Sequence, residues 1–142
     1  MERDEIKNII PHREPMLLLD DVENMEGIAV GHYTVRGDEY FLQGHFPGNP
    51  VVPGVILCEI PAQSACVLME DALKEGQVPM YTGLNNVRFR SPVRPGDKIE
   101  TKCSIVRKKH PFYFAEGTAS VDDRICVTAE FSFAVTALRN GE

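Results

Sequence analysis

The sequence predicts an α+β fold in which one antiparallel sheet of five to seven strands wraps a single central, mostly apolar helix. Three observations predict it. Period-two alternation of apolar and polar residues dominates the second half of the chain. One stretch, VILCEIPAQSACVLMEDAL over 55–73, has helical length and is apolar almost all round, which marks a buried helix rather than one docked by a single stripe. The 142 residues, 43% of them hydrophobic, suffice for one domain over 1–142 with a real core.

Taken in order, the N-terminal MERDEIKNIIPHREP mixes charges with short apolar pieces and lacks the apolar centre of a signal peptide, so the expected location is cytoplasmic. No apolar run approaches the ~20 residues that span a bilayer. MLLLDDVENMEG and IAVGHYTVRG read as a hairpin or strand pair. After the buried helix, NNVRFRSPV and DKIETKCSI alternate as strands, with Pro95-Gly96-Asp97 as a turn between them. PFYFAEGTASVDD ends at Asp122-Asp123, the expected hairpin turn into RICVTAEFSFAV. In that last strand Ile125, Val127, Ala129, Phe131, Phe133 and Val135 are expected on one face, with Cys126, Thr128, Glu130, Ser132 and Thr136 on the other. An open sheet leaves edges that invite pairing, so a homodimer or higher assembly is expected.

Several function classes fall away on composition. Cys58, Cys66, Cys103 and Cys126 are scattered, with no zinc-type spacing, and read as reduced core thiols; no metal is expected. No glycine-rich phosphate loop is present, so no nucleotide cofactor is expected. The net charge of −6 conceals a local +6 over residues 88–109, which leaves −12 for the rest. So acidic a body does not suit nucleic acid, and the basic segment fits either an acidic or phosphate-bearing partner or a solvated strand face.

The chemistry concentrates in GHFPGNPVVPG, residues 44–54. Pro47, Pro50 and Pro53 fix their own φ and restrict the residues before them, so His45 is presented with little entropy left to lose. Fixed aim is what a general base requires. Gly54 and Val55 open the helix, where unpaired N–H groups and the dipole favour developing negative charge. Glu59 stands one turn on, in an apolar context that favours its protonated form and so a general-acid role, and Gln63 at i+4 can hold its carboxyl. On the residues alone, a structural loop histidine and half of a buried salt bridge remain open for His45 and Glu59.

Gly44-His45-Phe46-Pro47-Gly48, Pro50, Pro53-Gly54, Glu59, Ala62 and Gln63 resemble the core G-H-F-P-G-x-P-x-x-P-G-x-x-x-x-E-x-x-A-Q of the (3R)-hydroxyacyl-acyl carrier protein dehydratases, the FabZ and FabA type. IPHREPMLLLDDV and NNVRFRSPVRPGD are similar to the flanking segments of that family, so the resemblance covers nearly the whole chain. Glutamate at the acid position is similar to the FabZ side. The resemblance implies a hot-dog fold, no cofactor, and an acyl carrier protein as the partner that delivers substrate. It implies a homodimer whose shared sites set His45 of one copy against Glu59 of the other, with FabZ-type enzymes assembling as trimers of dimers. His45 is then the base at C2, Glu59 the acid at the 3-hydroxyl, the Gly54 N–H the contact to the thioester carbonyl, and the Val51 carbonyl the group that orients the imidazole. Arg88, Arg90, Arg94, Lys98 and Lys102 become candidates for docking the carrier.

One position departs from the family pattern. Pro61 removes a helix hydrogen bond to the Leu57 carbonyl, so either a kink or a helix starting near Ile60 is expected, each rotating Glu59 relative to Gln63. His12 reads as structural, His32 and His110 as surface or strand residues. Phe112, Tyr113 and Phe114 read as core or as the lining of an acyl tunnel. An acyl thioesterase and a non-catalytic acyl-binding protein on the same scaffold are the alternatives.

Overall fold

A computed structural model describes residues 1–74 and 76–137. Six strands form one antiparallel sheet: β1 Asp21–Met25, β2 Ile28–Thr34, β3 Gln77–Phe89, β4 Lys98–Lys109, β5 Phe112–Val121 and β6 Arg124–Ala137, in the order β1-β2-β4-β5-β6-β3. A short N-terminal helix, α1 Arg3–Ile6, precedes them, and the long helix α2 Gly54–Val67 lies between β2 and β3.

The predicted hairpins are present, and their turns explain themselves. β1 and β2 are joined by Glu26 and Gly27, both at positive φ, and β5 and β6 by Asp122 and Asp123, also both at positive φ. Two consecutive left-handed residues give a turn whose twist matches the flanking strands, and Gly and Asp tolerate that conformation best.

Every residue of α2 from Ile60 to Val67 is buried, as the all-round apolar pattern requires. The helix packs on β2, β4, β5 and β6, and the core it joins includes Ile99, Cys103, Ala115, Ala119, Val127 and Phe131. All four cysteines are free and buried. Burial raises the Cys103 thiol to about 12, so it stays protonated, and its Sγ donates to the Pro61 carbonyl at 3.1 Å.

Three expectations need correction. The helix ends at Val67, not near Leu73. Beyond it Leu68 and Met69 bond back to the carbonyls three residues earlier, so the chain coils into tight turns while Met69 and Leu73 remain buried. Apolar content continued past the last regular turn, and burial without helical geometry reads the same in sequence. The helix also does not begin near Ile60: it runs from Gly54 through Pro61. Packing on four strands holds it there despite the missing bond, as tertiary context outweighs local propensity. Finally, Ile125 is exposed and Cys126 buried, the reverse of the simple alternation. A register shift between Ala119 and Ser120 pairs Val127 with Ala119 and Ile125 with Ser120. Cys126 is the extra residue, and a bulge moves the side chains before it to the other face.

On the outer face, three neighbouring strands bring one histidine between two carboxylates. His32 of β2 pairs with Asp21 of β1 and Glu100 of β4, and its ring nitrogens lie 2.6 Å from Asp21 Oδ1 and 2.9 Å from Glu100 Oε2. Burial works against the imidazolium, but these two hydrogen bonds outweigh it and raise the His32 pKa. The folded state therefore holds this proton more tightly than the unfolded chain. The resulting stability is complete below about pH 6.5, the unperturbed histidine value, and is lost as pH rises through the higher folded value. Urea midpoints of the wild type and of His32→Gln should accordingly converge as pH rises through that window; a difference that stays constant would contradict the assignment.

Candidate active site

The loop that carries His45 is braced before it begins. Buried Glu39 accepts the Tyr33 hydroxyl at 2.6 Å and the Arg36 and Gly37 amides at 2.9 and 2.8 Å, which fixes the chain entering the 3₁₀ turn Tyr40–Leu42. From there the loop is bonded largely to itself. The Val51 amide donates to the His45 carbonyl at 2.9 Å, and Phe46 and Asn49 exchange backbone bonds at 3.1 and 2.8 Å. Gly44 and Gly48 sit at φ +81 and +73, where a side chain would be strained. The Val52 amide then reaches the Val93 carbonyl at 2.8 Å and ties the loop to the segment that follows β3.

Within this frame the half-buried His45 ring stacks on Phe46, with centroids 4.1 Å apart, and its Nδ1 lies 3.0 Å from the Val51 carbonyl. A carbonyl only accepts, so Nδ1 carries a proton, and in the neutral ring the lone pair is on Nε2. Among the described residues Nε2 has no protein partner. The ring is thus fixed as the tautomer that can remove a proton.

Gly54 opens α2 directly after Pro53, the residue that caps it. Its N–H belongs to the first turn, whose amides have no carbonyl one turn earlier. Phe89 of β3 covers this turn closely: a Cβ on Gly54 would stand 2.9 Å from the Phe89 ring. Only glycine lets the aromatic side chain and the helix start approach in this way.

Glu59 follows one turn later, its side chain 16% exposed. Gln63 fixes it as the i+4 spacing implies, and Pro61 does not rotate the pair apart. The Gln63 side chain is fully buried; its Oε1 accepts the Leu18 amide at 2.9 Å, which forces its Nε2 to be the donor. That nitrogen donates to the Met16 carbonyl at 2.7 Å and to Glu59 Oε2 at 2.9 Å. The segment around Met16–Leu18 therefore holds Gln63, and Gln63 holds the carboxylate.

Two further residues at this carboxylate were not foreseen. The Tyr81 hydroxyl donates to Glu59 Oε1 at 3.1 Å. His12 brings Nε2 within 3.6 Å of Glu59 Oε2, an electrostatic approach too long for a hydrogen bond, while its Nδ1 is buried without a partner. Burial lowers the His12 pKa against the opposing pull of Glu59. Neither contact has a local sequence signal: His12 is 47 positions from Glu59 and Tyr81 is 22, and only the folded chain joins them.

Glu59 and Tyr81 open onto a cavity of about 390 Å³, lined otherwise by Val55, Cys58, Thr82, Gly83 and Leu84. It lies along β3, an edge strand of the sheet. Val55 is 73% exposed, and Phe46, Met80, Leu84 and Phe89 are exposed as well, an apolar surface that water-exposed edges seldom carry uncovered.

Arg88 stands on β3 and Lys102 on β4, with β5 and β6 between, while Arg90 follows β3 and the turn from Arg94 to Asp97 leads directly into Lys98 at the start of β4. Phe112 and Phe114 are not core: Phe112 is exposed and Phe114 half-buried under the Arg107 guanidinium at 4.3 Å, while Tyr113 is buried. His110 is exposed, as expected.

Comparison with known proteins bears on this arrangement. The family model of the FabA-like domain matches residues 10–130. A protein of Clostridium beijerinckii named 3-hydroxyacyl-[acyl-carrier-protein] dehydratase FabZ is 42% identical over 136 residues, covering 92% of this chain and 96% of its own. One of the same name from a Caulobacter species is 43% identical over 136 residues, with 92% and 83% covered. Among solved structures, the dehydratase heterocomplex ApeI:P of Xenorhabdus doucetiae superposes with a TM-score of 0.78 at 23% identity, over 96% of this chain and 93% of the other. The E. coli PaaI protein gives 0.63 at 15% identity, over 80% and 81%. These two likenesses concern the fold, which is the hot-dog fold.

Proposed function

The chain belongs to the FabA-like domain family, and from that premise we propose that it dehydrates (3R)-3-hydroxyacyl thioesters carried on acyl carrier protein to trans-2-enoyl thioesters, a step of fatty acid synthesis. His45 Nε2 removes the C2 proton. The electron pair of that C–H bond forms the C2–C3 double bond as the C3–O bond breaks, and Glu59 gives its proton to the departing oxygen, which leaves as water. The Gly54 N–H meets the thioester carbonyl and takes up the charge that develops there. The Val51 carbonyl keeps the His45 tautomer, and Gln63 keeps the carboxyl in place. The reaction is redox-neutral and calls for no cofactor.

The observation that carries this reading is the His45 tautomer. A protonated Nδ1 held by a backbone carbonyl leaves a lone pair on the opposite nitrogen, at the end of a loop with almost no freedom. The effects are of the right size: a positioned acid or base contributes roughly 10²–10⁴-fold, and one carbonyl-binding amide about 3–4 kcal/mol.

The site is completed by a second copy. Among the described residues β3 pairs with β6 on one side only, and a copy laid along its free edge would extend the sheet and cover Val55, Met80, Leu84 and Phe89. His45 of one copy then faces Glu59 of the other across the cavity beside Tyr81. The homodimer so formed is the unit from which a trimer of dimers is built. Arg94 adjoins Val93, whose carbonyl accepts the Val52 amide of the His45 loop, and with Arg88, Arg90, Lys98 and Lys102 it provides the docking surface for an acidic carrier.

The purified protein incubated with a crotonyl thioester tests the reaction. Hydration to the 3-hydroxy product, the reverse of the proposed step, is the expected outcome. Release of free thiol would indicate a thioesterase, and recovery of unchanged thioester a protein that only binds acyl groups.

A further inference from the structure

Tyr81 is placed where the acid step needs a donor. Its ring is anchored against Phe133, with centroids 5.3 Å apart, and its hydroxyl reaches Glu59 Oε1 at 3.1 Å. The other carboxyl oxygen is already committed. Leu18 fixes the Gln63 amide, so the Gln63 Nε2 must donate to Oε2. Oε1 is therefore the oxygen left for the transferable proton, and Glu59 and Tyr81 both line the cavity.

Resting on the assignment of Glu59 as general acid, we propose that Tyr81 is a positioning residue for the acid step, donating its hydroxyl to the carboxylate that forms as Glu59 releases its proton. In the acid form, the Oε1 proton goes to the departing 3-hydroxyl as the C3–O bond breaks. The carboxylate left behind is met on Oε1 by the Tyr81 O–H and on Oε2 by the Gln63 N–H, so its charge is stabilised while it develops. Tyr81 keeps its own proton throughout. Burial, with Glu59 adding to it, raises the phenol far above its ordinary range, so it serves as a donor and not as a base.

The titratable groups that face Glu59 are His12 from the N-terminal segment, Cys58 and Cys66 from α2 and Tyr81 from β3, to which the assembly adds His45 of the other copy. Tyr81→Phe alters only one of them. The ring is half exposed on an edge strand, and phenylalanine keeps its packing on Phe133. Steady-state dehydration of a (3R)-3-hydroxybutyryl thioester, the direction in which Glu59 releases its proton, should be followed over the full pH profile for the wild type, Tyr81→Phe and Glu59→Gln.

For Tyr81→Phe the expected result is a kcat lower by about 10- to 100-fold, the cost of one hydrogen bond to a charged group. KM should be unchanged, and the pH limb set by the acid should move upward, because the ionised form has lost a donor. Wild-type kcat, or a reduced kcat with an unmoved limb, overturns the role of Tyr81. Full activity in Glu59→Gln would instead overturn the parent assignment of the acid, so the two failures are told apart.

Discussion

His45→Ala lowers turnover by about 10²–10⁴-fold, the contribution of a positioned general base, and leaves the fold intact. Among the described residues the imidazole forms one side-chain hydrogen bond, to the Val51 carbonyl, and stacks on an exposed Phe46, so little core is lost with it. The loop keeps its own backbone bonds between His45 and Val51 and between Phe46 and Asn49, which do not involve the ring. Circular dichroism and elution volume should therefore match the wild type while hydration of a crotonyl thioester collapses. Wild-type-like rates would remove His45 from the mechanism.

Glu59→Gln is expected to act as strongly by a different route. The amide is the same size: its oxygen can accept the Gln63 N–H where Oε2 stood, and its NH2 can donate to the Tyr81 hydroxyl where Oε1 stood, so the geometry survives. What it cannot do is release a proton to a departing hydroxyl. The loss should again be about 10²–10⁴-fold and should appear in kcat more than in KM, because the missing interaction belongs to the transition state. The change also removes the carboxylate that His12 approaches at 3.6 Å. A variant with wild-type kcat would show that another group supplies the proton.

The outline of this protein was legible because its local and global signals agree. Strand alternation and the positive-φ pairs Glu26-Gly27 and Asp122-Asp123 concern neighbouring residues, and so does the all-round apolar helix. His45, Gly54, Glu59 and Gln63 lie within one continuous motif, and the His45–Val51 bond spans six residues. What stayed hidden was non-local. Nothing in NNVRFRSPV says that its strand crosses to pair with β6 at the sheet edge, so Arg88 and Lys102 are neighbours in sequence pattern although two strands separate them. The contacts of His12 and Tyr81 with Glu59 depend on the same closure. Pro61 was misjudged in the opposite sense: its local cost is real, but a helix buried on four strands does not start or stop where propensity alone would place it.

A site divided between two copies makes a direct demand. Co-refolded His45→Ala and Glu59→Gln chains form mixed dimers in which one site joins the intact His45 of one chain to the intact Glu59 of the other, and the second site carries both changes. With random assortment half the dimers are mixed and one of their two sites works, so activity should return to roughly a quarter of the wild-type level. A mixture no more active than its two inactive parents would contradict the shared site.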